Sequence, residues 1–426
     1  MDASRSSRIP KFYKLDMGER LRLVAEYAGL TDEEVKLLSS FGNLDAKTAD
    51  IMIENVIGSM AYPYAIATNF RINGRDYLIP MVIEESSVVA AASNAARVMR
   101  RGDGIVSIAS ESIMIGQVQI VDVENPYYAK QLLYENRDEI LRIANEQDLV
   151  LVDLGGGAKD IEVRILETYI GPMLILHLLV DVKDAMGANA VNTMAETVAP
   201  YVSELTGGRV YLRIISNLAD KRIVRSRVKV YAEDIGGEEV VDGIVAASAF
   251  AEADPYRAAT HNKGIMNGVI AVALATGQDH RAIEAGAHSY AARFGYYTSL
   301  SQWEKTPEGD LVGTLEMPMP VGIVGGAVRV HPIARISLKI LGVSSAKELS
   351  EVMGAVGLAQ NFAALRALAT EGIQKGHMKL HARNLAVMAG ATGELIDRVA
   401  EEMIREGRIR FSRAKELVEK YMSGSK

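Results

Sequence analysis

The chain has 426 residues, 49% apolar and 24% charged, a composition typical of soluble globular proteins at a length that calls for two or three domains. The 47 Lys and Arg against 54 Asp and Glu give a net charge of −7, so there is no basic footprint for nucleic acid. The absence of cysteine excludes disulfides, thiolate–metal centres and a Cys nucleophile. Helical periodicity runs from about Met17 to Ala61, with Thr31-Asp-Glu-Glu34 offering a cap and an acidic first turn. Tyr77–Ile83 reads as a buried strand, and 86–97 as a helix of small residues suited to close packing. From about Ile105 to Ile215 the texture becomes strand-rich. Gly116–Asp122, Leu149–Leu154, Ile161–Ile165 and Met173–Val180 are strand-like, with helices near 127–145 and 187–206. After Asn217 the pattern returns to long small-residue helices, then a Gly/Pro-rich β stretch near Thr314–Val330, then two charged amphipathic helices in Thr392–Met422. Residues 1–8 lack the apolar core of a signal peptide, and no apolar run reaches the ~18 residues of a membrane span. The expected setting is therefore the cytoplasm, away from membranes.

Several motifs carry chemistry. Asp153-Leu-Gly-Gly-Gly-Ala-Lys-Asp160 is a Gly-rich turn without the dinucleotide fingerprint, so a phosphate turn and a tight hairpin both fit. No Gly-Lys-Ser/Thr occurs, which counts against an ATPase. In Asp181-Val-Lys-Asp-Ala-Met-Gly-Ala-Asn-Ala-Val-Asn192 a strand ends and a helix begins with small residues. That suits either a phosphate cradle or close helix packing. Glu84-Glu85 offers an acid at a strand edge or a solvated pair at a helix start. His377 and His381 lie one helical turn apart. A metal-ligating partner such as the glutamate of His-Glu-x-x-His is missing, so the expected use is one acid and one hydrogen-bond donor, with no metal. His177, His261, His280, His288 and His331 read as structural. Lys263 stands in a polar run, Arg257 to Asn267, between two apolar stretches. It is either a helix-terminal amine in solvent or a poorly screened cation for developing negative charge.

Together, Glu54-Asn-Val-Ile-Gly58, Ile83-Glu-Glu-Ser-Ser-Val-Val-Ala90, Asp184-Ala-Met-Gly-Ala-Asn189, Thr260-His-Asn-Lys-Gly264, Thr276-Gly-Gln-Asp279 and Gly376-His-Met378 resemble the 3-hydroxy-3-methylglutaryl-coenzyme A (HMG-CoA) reductases of class II. The resemblance runs over nearly the whole chain. It implies an α+β fold: a helix-rich large domain (1–111 and 218–377), an inserted non-Rossmann, ferredoxin-like dinucleotide-binding domain (112–217), and a helical C-terminal flap (378–426). It implies interconversion of HMG-CoA and mevalonate plus coenzyme A by two hydride transfers. Glu85, Lys263, Asp279 and His377 match the catalytic positions: the acid, the oxyanion-stabilising cation, the carboxylate that tunes that pair, and the acid toward coenzyme A. Ser87, Asn217, Arg257, Asn267 and His381 match substrate-binding positions. Asp184, Ala185, Met186, Gly187, Ala188 and Asn189 match the dinucleotide motif, and Asp148 matches an acid that accepts the ribose 2′-hydroxyl. NADH is therefore expected over NADPH. Tyr13 departs from an arginine that a relative can carry near coenzyme A. The family implies a homodimer with interface active sites, Glu54–Gly58 completing the neighbour's, and larger assemblies left open.

A continuous helix over 264–278 would hold Lys263 and Asp279 ~22 Å apart, so the same resemblance calls for the chain to break or fold back, with Gly268 or Gly277 as the candidate breaks. Rival readings are another acyl-CoA-linked NAD oxidoreductase, a non-catalytic coenzyme-A or nucleotide sensor, and, more distantly, a metal hydrolase built on His377 and His381.

Overall fold

The structure is a computed structural model describing residues 6–41, 44–370 and 373–423, the side chains of 373–380 and 423 excepted. Helices α1 (Met17–Ala28) and α2 (Asp32–Ser39) each open on a capping box, Asp16 with Glu19 and Thr31 with Glu34, in which side chain and backbone satisfy each other's end groups. Helix α3 (Ala46–Met52) follows. The expected helical stretch to Ala61 stops there: 53–63 forms no regular element, and Asn55 has a left-handed φ of 59°. The chain then forms the hairpin of β1 (Tyr64–Ile72) and β2 (Arg75–Val82) and enters α4 (Val88–Met99). Strand β3 (Val106–Ala109) leads to the inserted module.

The module runs β4 (Ile113–Val121), α5 (Pro126–Glu135), α6 (Arg137–Asn145), α7 (Leu149–Asp153), β5 (Gly157–Thr168), β6 (Gly171–Asp181), α8 (Ala188–Thr206) and β7 (Arg209–Ser216). Its antiparallel sheet has the order β5-β6-β4-β7, the ferredoxin-like arrangement. Leu149–Leu154 is not a strand. Asp148 accepts the Leu151 N–H at 2.9 Å as a helix cap, and the glycines behind it stop the helix after one turn. The triple glycine is accordingly no hairpin but the passage from α7 into β5, with Gly155 and Gly157 at φ of 78° and 90°. The module has its own core, centred on Leu174, Leu176, Leu178, Val191, Met194 and Val198.

Beyond it the chain runs β8 (Ile223–Val230), α9 (Glu238–Ala253), α10 (Pro255–Ala275), α11 (His280–Ala291), β9 (Ser301–Lys305) and β10 (Leu311–Pro318). The short α12 (Gly326–Val330) replaces the second half of the expected β stretch, and α13 (Pro332–Leu341) and α14 (Ala346–Ala369) follow. A second sheet, β3-β8-β10-β9, packs with α4, α10 and α14 around the largest core. Helix α14 is long and apolar enough to cross a membrane, but 67% of its most apolar window is buried inside the protein. Helices α15 (Ile373–Met388), α16 (Glu394–Arg405) and α17 (Phe411–Ser423) close on a small core of their own around Leu385, Val399, Met403 and Leu417.

Candidate active site

Helix α10 carries the polar run. Pro255 at its first position and the Asp254 side chain, accepting from the Arg257 N–H at 3.0 Å, start it. At 100° per residue, Arg257, Asn267 and Lys263 fall within an arc of about 120°. The opposite side, including Ala258, Ile265, Met266 and Val269, is buried. Polar groups also anchor that side. His261 Nε2 lies 2.7 Å from Ser301 Oγ, and Asn262 donates to the Thr298 carbonyl at 2.9 Å and accepts the Leu300 N–H at 3.0 Å. Asn361 joins His261 to the Trp303 indole N–H, which it accepts at 2.7 Å. Burial, then the Arg257 charge, push His261 down to about 4, so it is a neutral structural imidazole, as its sequence setting predicts. His177, His288 and His331 also have protein partners, in Gln117, in Glu284 and Tyr297, and in the Ile333 N–H.

The turn after β2 brings Glu85 to this helix: Lys263 Nζ donates to Glu85 Oε2 at 3.0 Å. The lysine is not dehydrated within one chain, its side chain being 62% exposed. Two residues on, Ser87 starts α4 with a φ of 76°, a costly conformation for a residue with a Cβ and of the kind that collects at functional sites. Arg257 is half-buried and its guanidinium makes no ion pair or side-chain hydrogen bond among the described residues. Burial lowers its pKa, so a carboxylate brought to it would meet a poorly solvated cation.

Asp279 does not join the pair within one chain. Helix α10 passes through Gly268 without a break, because that glycine is needed for packing: a Cβ there would meet the Gln360 Cβ at 3.0 Å. The chain turns only at Gly277, φ 68°, and Gln278 then donates its N–H to the Ala273 carbonyl at 2.8 Å. Asp279 is thereby held near the level of Ala273, about 15 Å along the axis from Lys263. There it caps α11 through the Ala282 N–H at 3.1 Å and pairs with Arg281 at 3.6 Å.

Asn217 is exposed, its carbonyl pressed so closely on Gly286 that a Cβ there would come within 2.7 Å. His381 is exposed on α15. The side chain of His377 lies outside the described residues. Tyr13 is 76% exposed. Ile57, in the irregular stretch after α3, is fully exposed, and Ile53 and Met60 are largely so. Among the described residues, no three His, Asp or Glu side chains gather as metal ligands would.

The dinucleotide motif forms the turn from β6 to α8. Gly187 occupies the helix N-cap with a φ of 97°, and a Cβ there would lie 2.4 Å from the Val182 side chain, so only glycine fits. It supplies no capping side chain, which leaves the first N–H groups of a 19-residue helix free for an anion. That suits a dinucleotide's diphosphate. Asp184 is turned inward instead, accepting the Ala346 N–H at the start of α14 at 2.8 Å. Ala185 bridges to Val324, and Asn189 is exposed. Sequence reasoning passed over Arg222, whose buried guanidinium binds this turn, and Gln278, whose side-chain amide bonds both backbone groups of Gly322 at 2.8 and 2.9 Å beside it. Gln278 stands inside the Thr276-Gly-Gln-Asp279 run, where Asp279 drew the attention, whereas Arg222 stands in no motif, and the burial of a lone cation has no signature in spacing.

A family model for hydroxymethylglutaryl-coenzyme A reductase matches residues 16–382. The chain is 62% identical to the 3-hydroxy-3-methylglutaryl-coenzyme A reductase of Archaeoglobus fulgidus, over 98% of this chain and 95% of that protein. It is 36% identical to a probable one from Borreliella burgdorferi, over 78% and 77%. Among solved structures it is similar to the class II enzyme of Streptococcus pneumoniae bound to NADPH in open conformations. That match has 39% identity, a TM-score of 0.82, and coverage of 96% of this chain and all of that one. Lys263 beside Glu85, the glycine-tight turn at Gly187, the ferredoxin-like insert and these likenesses agree: the chain belongs to the hydroxymethylglutaryl-coenzyme A reductase family.

Proposed function

We propose that this chain reduces HMG-CoA to mevalonate and coenzyme A, or runs the reverse, using a nicotinamide cofactor held at Asp184–Asn189. The observation that carries the reading is the 3.0 Å contact between Lys263 and Glu85, a cation and an acid brought together from distant elements. When bound, NAD(P)H supplies a hydride to each of two successive carbonyls, the thioester and then the aldehyde. Lys263 holds positive charge at the carbonyl oxygen in both steps, where each developing oxyanion needs it. Glu85 hands a proton to that oxygen. His377 protonates the departing coenzyme-A sulfur, which leaves poorly as a thiolate near neutral pH. Arg257 takes the terminal carboxylate of the acyl group bidentately, Ser87, Asn267 and His381 add hydrogen bonds, and Asn217 orients the lysine segment.

The unit of function is a homodimer in which Asp279 reaches the Lys263–Glu85 pair from the second copy. Two features support this. Asp279 is held at the other end of a rigid helix, and through Gln278 and Gly322 it sits beside the chain's own dinucleotide turn. One protomer thus groups the cofactor turn with Asp279, while Glu85, Lys263 and Arg257 group elsewhere. The exposed apolar stretch after α3, with Glu54–Gly58, forms part of the shared face. Residues 112–217 act as the cofactor domain and 378–426 as a flap over the site, readings supported by the separate cores of the insert and the tail. NADH is preferred through Asp148, and the enzyme works in the cytoplasm without a metal.

The test is oxidation of NADH dependent on HMG-CoA. Lys263→Ala should lower kcat by roughly 100- to 1,000-fold or more, the cost of removing an oxyanion-stabilising group. Wild-type protein that reduces simple acyl-CoAs as fast as HMG-CoA would overturn the substrate assignment.

A further inference from the structure

Arg222 is 4% exposed and lies at the junction where the chain leaves the inserted module and enters β8. A buried cation ordinarily has a carboxylate partner, because an unpaired charge in a poor solvent is costly. Arg222 makes no ion pair among the described residues. Its guanidinium donates instead to three backbone carbonyls: Ala185 at 3.1 Å, Met186 at 3.3 Å and Val321 at 2.5 Å. Two of these belong to the turn between β6 and α8, the third to the large domain. Burial lowers its pKa, with Asp181 and Asp184 opposing from a distance.

The carbonyl contacts fix more than the position of the turn. In a planar trans peptide the N–H of one residue points opposite to the carbonyl of the residue before it. Drawing the Ala185 and Met186 carbonyls onto Arg222 therefore turns the N–H groups of Met186 and Gly187 away from it. The Met186 nitrogen lies against Gly322, where a Cβ would come within 2.5 Å of it, so the Gly187 N–H is the one that can add to the uncapped start of α8. The same guanidinium leaves a positive charge behind the turn with no carboxylate in contact to cancel it. We propose that Arg222 is a positioning residue for the cofactor: by clamping the Ala185 and Met186 carbonyls it aims the Gly187 N–H at the cofactor's diphosphate and supplies that anion's buried counter-charge. This rests on Asp184–Asn189 being the dinucleotide site.

The experiment compares ADP, which carries a diphosphate, with adenosine, which does not, as competitors of NADH in wild type, Arg222→Met and Arg222→Lys. The KM for HMG-CoA and the thermal midpoint are measured alongside. Loss of charge-assisted bonds predicts that ADP and NADH weaken by about 10- to 100-fold in Arg222→Met, while adenosine changes less than about threefold. Arg222→Lys, which keeps the charge but cannot fork to three carbonyls, falls between, and it carries the test if the methionine variant does not fold. ADP and adenosine weakening together, or the KM for HMG-CoA rising in step with that for NADH, would mark a merely structural residue and overturn the proposal. Wild-type protein in which ADP fails to compete with NADH would instead remove the dinucleotide assignment of the turn, whatever Arg222 does.

Discussion

Lys263 and Glu85 are 178 positions apart in sequence and meet with 62% and 39% of their side chains exposed. So exposed an ion pair adds little to stability, which accords with the proposed role at the substrate's carbonyl oxygen. Behind it, His261 is one of the residues that tie α10 down. Its folded pKa of about 4 lies below the ~6.5 of an unfolded histidine, so between those values the unfolded chain binds the extra proton. Its neutral, buried form contributes fully above pH 6.5, and that contribution, of order 3 kcal/mol, is lost as the pH falls through 6.5 to about 4. Denaturant midpoints recorded from pH 7 to 4 should therefore fall less steeply in His261→Gln than in wild type; parallel slopes would contradict the assignment. The sequence showed Lys263, Glu85 and Arg257 because they stand in recognisable runs. It could not show the inward turn of Asp184 or the burial of Arg222, since both depend on which segment from elsewhere packs against them.

At the scale of elements, α10 acts as a ruler: one face is fixed in the core by His261, Asn262 and Asn361, and the other presents the polar arc. Long periodic segments such as α8 and α9 were legible, as were strands β2, β4 and β6. The one-turn α7 was read as a strand because five apolar residues carry no usable period, and the deciding feature was the Asp148 cap before them. Strand β9, five residues long, is too short to show a period, whereas β8 alternates buried and exposed residues over Ile223–Val230 and its pattern was there to read. Gly268, read as a possible break, proved to be a contact point with α14. The Asp148 cap shapes a test of cofactor choice. Alanine there would remove both charge and cap, whereas Asp148→Ser keeps an N-cap and removes only the charge. Wild type should prefer NADH, and Asp148→Ser should narrow the NADH-to-NADPH ratio of kcat/KM by about tenfold through lost repulsion of the 2′-phosphate. A wild type that prefers NADPH would reverse the assignment.

Across the whole molecule the candidate residues fall into two groups, one around Lys263 and one around Gly187 and Asp279, and the rigid helix keeps them apart. Mixing Lys263→Ala and Asp279→Ala subunits distinguishes sharing between chains from sharing within one. If the groups meet across a two-fold interface, each hybrid has one intact site, and random reassortment should restore about a quarter of wild-type activity. If they meet within a chain, mixing restores nothing. The straightness of α10 has a further consequence. If the proposed dimeric site is right, a protomer that cannot bend its own carboxylate back to its own lysine has no turnover to fall back on when alone. Assembly then becomes a kinetic variable: below the dimer dissociation constant, specific activity should fall with protein concentration, and HMG-CoA or NADH bridging the two halves should hold the dimer together under the same dilution.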